Sequence, residues 1–233
     1  MLQIVKDNVN SKSIRLYRYL NAEAALKTIE SRSFRVGRIH ELNDPFEWRM
    51  GITGIIREGE MFAQSLLDGF IAKISHSMGI LSFSDTLEDA VLWSHYADKH
   101  RGVAFEVDHV IKPDQLFKIV YTNERPVFDA NRLHQPKALD DYLRPLVIKL
   151  IKQKSPGWSY EREYRVFIDL PSCEISRGHY FRPIPDDYLK RVILGFKCPL
   201  ETSYVMQSLA ARGLKTTQVV RARMCLETYS IRC

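Results

Sequence analysis

One stretch decides the fold class: EREYRVFIDL, residues 161–170. From Glu163 onward polar and apolar side chains alternate, and such alternation predicts a half-buried β-strand. Side chains two residues apart on a strand point to the same face of the sheet. The carboxylates of Glu161 and Glu163 are therefore expected to project together from the start of this strand.

These two carboxylates are candidates for chemistry. Adjacent carboxylates repel each other unless a cation or a hydroxyl-rich ligand lies between them. Pairs held in this way perform acid–base chemistry or stabilise an oxocarbenium ion. Glu161 and Glu163 are therefore candidate catalytic residues. The alternative is a solvated strand end at which the acids pair with Arg162 or Arg165.

Outward from this strand, alternation and capping residues predict eight more strands and five helices. The strands are expected at Ile14–Leu20, Ser33–Val36, Ile80–Ser84, Gly102–Val107, Leu116–Tyr121, His179–Arg182, Arg191–Leu194 and Thr217–Ala222. The helices are expected at Ala22–Ser31, capped by Asn21, at Glu58–Met78, at Leu87–Lys99, capped by Asp85 or Thr86, at Leu139–Lys154 and at Leu200–Arg212. Strands outnumber long helices and occur partly in groups, which predicts an α+β fold with a mixed or antiparallel central sheet and flanking helices.

The composition is that of a globular chain, with 233 residues, 45% of them hydrophobic and 27% charged. No apolar run approaches the roughly 18 residues that a membrane span needs, and the first residues lack the pattern of a signal peptide. We therefore expect a cytoplasmic protein that contacts no membrane. The net charge of +6 permits a polyanionic partner such as nucleic acid or a dinucleotide.

Metal chemistry is not expected. The four cysteines are far apart and have no C-x-x-C spacing. His95 and His100 do not have the i, i+4 spacing that places two ligands on one helix face.

Four further segments carry candidate binding residues. Arg18 lies between Tyr17 and Tyr19 on the first predicted strand; an arginine suits phosphate recognition, and the rings offer stacking surfaces. Ser82 and Ser84 place two hydroxyls on one strand face, where they can bind a ribose.

The other two segments are a helix and a turn. The helix carries Trp93, His95 and Tyr96, which are large and specific side chains for a helix surface. The turn contains Asn43 and Asp44 and is a candidate substrate-binding loop.

Taken together, these motifs resemble a widespread bacterial family of uncharacterised proteins with a WSHYAD-type signature, over about residues 14–170. More remotely, the layout resembles the ADP-ribosyltransferase superfamily, in particular its DNA-modifying toxins. The resemblance implies a single domain over residues 1–233, with a core at about 14–170 and a C-terminal elaboration at about 171–233. It aligns Arg18, Ser82 or Ser84, and Glu163 with three successive functional positions of those enzymes.

By this resemblance, NAD is the substrate and ADP-ribose passes to a nucleic acid or protein acceptor, as in a toxin or a phage-defence effector. Glu163 would stabilise the developing positive charge and Glu161 would position or deprotonate the acceptor. Arg18 would hold the pyrophosphate, and Tyr17, Tyr19 or Tyr96 would stack on nicotinamide. Two features depart from the transferases: the helix with Trp93 has no counterpart, and the middle motif reads Ser-Phe-Ser.

A second reading is a non-catalytic nucleic-acid- or nucleotide-binding module of a defence or toxin–antitoxin system. The net positive charge of the chain supports this interpretation. A hydrolase that uses Glu161 and Glu163 on another glycosidic bond is a third reading.

Overall fold

The fold is built on a ten-stranded sheet in the computed structural model, which describes residues 13–54, 59–110, 115–134 and 139–233. Within these residues five helices form: α1 (Ala22–Ser31), α2 (Gly59–Ser77), α3 (Ala90–Tyr96), α4 (Leu139–Lys152) and α5 (Thr202–Ala211). The strands of the first half are β1 (Ser13–Leu20), β2 (Ser33–Arg38), β3 (Gly51–Thr53), β4 (Met78–Ser84), β5 (Val103–Val110), β6 (Leu116–Lys118), β7 (Val120–Tyr121) and β8 (Val127–Asp129). Those of the second half are β9 (Gln153–Lys154), β10 (Glu163–Asp169), β11 (Glu174–Ser176), β12 (His179–Pro183), β13 (Leu189–Leu194), β14 (Gln218–Arg221), β15 (Arg223–Met224) and β16 (Ile231–Arg232).

The large sheet has the strand order β11-β12-β2-β4-β1-β5-β13-β14, with β10 beside β4 and β6 beside β10. Its ladders are antiparallel except for the parallel pair β13–β14. The predicted α+β class with a mixed sheet and flanking helices is therefore confirmed. The smaller pairs are β3–β8, β7–β9 and β15–β16.

The sheet opens beside β4. Along one edge of β4, strand β10 pairs at seven successive positions, from Glu163 opposite Ser84 onward. Along the other edge, β2 pairs only near Ile80 and β1 pairs only at Ser84. Because β1 and β2 separate between these two points, Ser82 lies on a stretch of β4 that faces a gap.

The first helix shows how local chemistry sets the element boundaries. The Asn21 side chain accepts a hydrogen bond from the Ala24 N–H at 2.8 Å, as expected of the cap. The helix ends at Ser31 because Arg32 adopts a left-handed conformation, with φ 50°.

The third helix is shorter than predicted, and its expected cap was wrong. Asp89, and not Asp85 or Thr86, accepts the N–H groups of the first turn. The helix ends at Tyr96 because the residues at 98, 99 and 100 all take positive φ values. The chain then needs Gly102, since a Cβ there would lie 2.1 Å from the Leu20 carbonyl oxygen.

Glu161 does not belong to the strand that follows it, contrary to prediction. It ends a 3-10 helix, Pro156–Glu161, and Arg162 turns the chain with φ 46° before β10 begins. The predicted helix start at Glu58 lies outside the described residues, as does the N-terminal segment.

The core lies on both faces of the sheet. Helices α1 and α5 bury Ile29 and Leu209 against one face, with Phe105 at its centre. Trp93 of α3 anchors the opposite face. Among the described helices, none has the length and apolar character that crossing a membrane requires.

Candidate functional site

A cavity of about 220 Å³ opens at the gap beside β4. Nine of the twelve predicted site residues line it: Tyr17, Arg18, Tyr19, Asn43, Ser82, Ser84, Tyr96, Glu161 and Glu163. Its lining also includes Leu42, Phe83, Leu92, Lys154 and Arg165. Strands that are remote in sequence thus bring most of the predicted residues to one place.

Lys154 joins the acids of this cavity. Its ammonium lies 2.6 Å from Glu161 Oε2, 3.5 Å from Glu163 Oε2 and 3.7 Å from Glu47 Oε1. The Lys154 side chain is only 3% exposed and also lies 4.7 Å from the centre of the Trp158 ring. The ammonium therefore occupies the space between three carboxylates that would otherwise repel one another.

Arg165 is the second buried cation. Its Nε and Nη2 donate to the two oxygens of Glu163, both at 2.8 Å, and Nη2 also contacts Glu47 Oε1. Its side chain is fully buried. When all five groups are ionised, three carboxylates and two cations leave one net negative charge. The alternative, a solvated pair with Arg162 or Arg165, is right about the Arg165 partner but wrong about the solvent, because the pair is buried.

The pKa values of the two predicted catalytic acids are shifted in opposite directions. Burial raises the pKa of Glu161 above its ordinary value, and the contacts with Lys154 only partly offset this. Burial also acts to raise the pKa of Glu163, but the Arg165 guanidinium outweighs it and holds that pKa below the ordinary value. A hydrogen bond from Ser82 supports the ionised form of Glu163. Such divergence between neighbouring acids is typical of a divided catalytic role.

A hydrogen-bond chain connects Glu161 to the turn at residue 43. Asn43 Nδ2 donates to the Tyr96 hydroxyl at 2.8 Å, and that hydroxyl donates to Glu161 Oε1. Burial, followed by the bond to Glu161, raises the pKa of Tyr96. Tyr96 is thus fixed as a donor, so its hydroxyl orients the Glu161 carboxylate.

Arg18 bridges the gap in the sheet. Its guanidinium donates to the carbonyls of Ser82 and Arg35, both at 3.0 Å, and lies over the rings of Phe34 and Phe83. Its Nε is buried without a hydrogen-bond partner, and no ion pair to it occurs within the described residues. Burial lowers the pKa of Arg18 to about 10. An anion beside this guanidinium would supply the missing partner.

Beyond Arg18 the cavity is continued by a groove of about 710 Å³ along α1 and β2. Arg18 and Leu42 line both spaces. Tyr17 and Tyr19 line only the cavity, and the Tyr19 hydroxyl donates to the Thr86 carbonyl at 2.8 Å.

Three predicted residues do not line this cavity. Trp93 is fully buried, its indole donates to the Leu87 carbonyl at 2.8 Å, and it therefore cannot touch a substrate as predicted. His95 lies outside the lining and shares a hydrogen bond of 2.9 Å with the Tyr160 hydroxyl. Asp44 lines a different cavity, because its Oδ1 caps the turn at the Phe46 N–H.

The sequence assigns Lys154 no role in the site, and it marks Glu47 only as a residue that flanks the candidate binding loop at residues 43–45. Glu47 contacts Lys154 and Arg165 from a distant part of the chain, and Lys154 lies on a different strand from Glu163, so no periodic spacing connects these residues. The signal that existed was Glu47 beside the polar turn at residues 43–45. Lys154 was counted only among the basic residues that favour nucleic acid.

A comparison with protein families finds a match over part of the chain. Residues 92–166 match the model of a family described as a protein of unknown function, DUF2971. The matched segment contains Tyr96, Lys154, Glu161, Glu163 and Arg165, and so most of the buried ionic cluster. No curated protein and no solved structure matches the chain.

Proposed function

We propose that the chain binds NAD in the cavity beside β4 and transfers ADP-ribose to a macromolecular acceptor, a nucleic acid or a protein. The observation that carries this proposal is the convergence of Arg18, Ser82 and Glu163 from β1, β4 and β10 on one cavity. The resemblance to ADP-ribosyltransferases assigns its three positions to Arg18, to Ser82 or Ser84, and to Glu163. Their adjacency follows from the register, in which Ser84 of β4 pairs with both neighbouring strands.

The shape of the site suits a dinucleotide in two parts. The 220 Å³ cavity receives the nicotinamide riboside half, and the groove beyond Arg18 receives the adenosine half. Arg18 stands where the two spaces meet and has a free buried Nε, so its guanidinium binds the pyrophosphate.

The acids divide the chemistry of transfer. The bond between the ribose C1 and the nicotinamide nitrogen breaks, and nicotinamide leaves with the electron pair. Glu163, ionised and oriented by Arg165 and Ser82, stabilises the positive charge that develops on the ribose. The net negative charge of the cluster acts in the same direction, because it lies in a buried site where charge is weakly screened.

Glu161 then serves the acceptor. The acceptor forms a bond to C1, and its proton passes to the Glu161 carboxylate, whose pKa is already raised by burial. Tyr96 holds that carboxylate in place through its hydroxyl.

The test is nicotinamide release from NAD by the wild type and by Glu163→Gln, with protein and nucleic-acid acceptors present. Loss of the stabilising charge is expected to slow release by about 100-fold or more. Glu161→Gln is expected to keep nicotinamide release to water while transfer to the acceptor falls by about 100-fold. Glu174→Gln, at an exposed position of β11, is the matched control with unchanged activity.

Thermal unfolding of each variant shows whether the fold is kept. Equal release by the wild type and Glu163→Gln contradicts the proposal, as does a wild type that releases no nicotinamide with any acceptor. NAD binding without turnover favours the second candidate, a nucleotide-binding module. One observation supports that candidate: each carboxylate of the cluster already has a cation partner.

A further inference from the structure

A second cavity of about 210 Å³ lies beside the ionic cluster. It is lined by the turn at residues 44–49, the loop at residues 122–126 and the segment around Gln153. Lys154 lines both this cavity and the first one. The proposed function assigns no role to this space.

Unpaired buried polar atoms concentrate here. The acceptors Asp44 Oδ2, Glu47 Oε2 and Gln153 Oε1 and the donor Trp48 Nε1 are all buried without a hydrogen-bond partner. The side chains of Asp44, Glu47 and Trp48 are each less than 5% exposed. Leaving such an atom unpaired costs about 1–3 kcal/mol, so four of them on residues that line one cavity point to a binding partner there.

The count of donors and acceptors favours one class of ligand. Three acceptors and one donor are complementary to a group with three N–H donors and one acceptor. The Watson–Crick edge of guanine has this set: one ring N–H, an amino group with two N–H, and the O6 acceptor. Adenine offers only two such donors, and thymine offers one. A guanidinium has five donors but no acceptor, which would leave the Trp48 indole unpaired.

The mouth of the cavity suits a nucleic-acid strand. Phe46 is 60% exposed there and presents a ring on which a base can stack. Arg125 lies 5.4 Å from the centre of that ring, and Arg49 is exposed beside it. Neither guanidinium forms an ion pair in the part of the chain that the structure describes, so both are available to phosphates.

We propose that this second cavity binds a guanine base of a single-stranded nucleic acid. Asp44, Glu47 and Gln153 accept from the Watson–Crick edge, Trp48 donates to O6, and the two arginines contact the backbone. Binding stands on the cavity alone.

The experiment measures binding of labelled five-nucleotide DNA strands to the full chain by fluorescence anisotropy, without NAD. One strand has a central guanine among thymines, and the others replace it by inosine, adenine or thymine. Inosine lacks only the amino group, so it is expected to bind about 10-fold more weakly than guanine. A strand with 7-deazaguanine keeps the Watson–Crick edge and is expected to bind like guanine.

Two variants separate recognition from folding. Asp44→Asn keeps an oxygen for the Phe46 N–H, and Trp48→Phe keeps a ring in the core. Asp44→Asn replaces the unpaired charged oxygen with a neutral amide nitrogen, and Trp48→Phe removes the unpaired indole N–H together with part of the ring volume. Thermal unfolding of each variant shows whether the fold is kept. Each is expected to reduce the preference for guanine over inosine about 10-fold. Asp141→Asn, an exposed charge change on α4, is the control.

Arg125→Gln tests the backbone contact. It is expected to weaken binding of guanine and inosine strands equally and to lower the salt slope by about 0.7. Equal affinity for guanine and inosine strands, or an undiminished preference in both Asp44→Asn and Trp48→Phe, overturns the proposal in favour of a cavity filled by water. Because no NAD is present, these outcomes are independent of whether the chain cleaves NAD.

Discussion

Replacing Lys154 by methionine is expected to destabilise the fold by about 3–5 kcal/mol, the range measured when one partner of a buried ion pair is removed. Methionine keeps the length and apolar bulk of the side chain but removes the charge, and with it the cation–π contact with Trp158. Three carboxylates lie within 4 Å of the Lys154 ammonium, which is 3% exposed. Without it, the cluster carries two net negative charges in place of one.

The size of this effect makes it measurable in two ways. For a chain of this length, each kcal/mol shifts the melting temperature by about 2–4 °C, so a loss of about 6–20 °C is expected. Urea unfolding at pH 7.5, followed by circular dichroism, gives the free energy directly. Lys149→Met is the matched control, because Lys149 is exposed near the end of α4, shortly before β9, and its replacement is expected to change the free energy by less than about 0.5 kcal/mol.

The pH dependence of the loss tests its cause. The pKa of Glu161 is raised even with Lys154 present, so this acid takes up a proton first as pH falls. Protonation removes the uncompensated charge, and the destabilisation by Lys154→Met is therefore expected to shrink between pH 7.5 and pH 5. A loss below about 1 kcal/mol at pH 7.5, or an equal loss at both pH values, refutes the reasoning.

Further expectations concern individual groups. Arg18→Met is expected to weaken NAD binding by more than about 10-fold by calorimetry, because the phosphates lose a buried cation. Tyr96→Phe is expected to raise the pKa of the acceptor base in the pH–rate profile of transfer, since Glu161 loses a donor. The pKa of Glu163 is lowered on folding, so its contribution to stability is present above about pH 4.5 and is lost as pH falls through the lower folded value. Glu163→Gln is therefore expected to flatten the acid limb of the urea stability curve. Gly102→Ala is expected to cost about 1–3 kcal/mol in the same assay, because its Cβ would meet the Leu20 carbonyl.

Local signals in the sequence predicted the elements on which the site is built. The cap at Asn21 and the alternation after Glu163 depend on neighbouring residues, and both α1 and β10 form as expected. The boundaries of α3 were less accurate, because three successive residues with positive φ end it and no glycine marks that point. Left-handed backbone at such residues is imposed by tertiary packing and leaves no local pattern.

The prediction that the carboxylates of Glu161 and Glu163 lie together is correct, although the backbone conformation assumed for Glu161 is wrong. Period-two spacing suggested one strand, whereas a 3-10 helix and a left-handed Arg162 carry Glu161 towards Lys154 instead. The two carboxylates still lie close together, because both contact the Lys154 ammonium. Glu47 reaches this point only through the fold of the whole chain, so sequence spacing could not reveal it.

Burying the ionic cluster carries a desolvation penalty at a position that apolar side chains could fill. Replacing a buried ion pair by well-packed apolar groups is often neutral or stabilising, so stability alone does not explain five ionisable groups here. Their location offers the explanation. Lys154 lines both cavities, and Glu47 presents one oxygen to the cluster while the other stays unpaired beside the second cavity. A charge or hydrogen bond supplied by a ligand in one cavity therefore acts on groups that face the other cavity. Apolar side chains at the same position would not carry such an electrostatic effect.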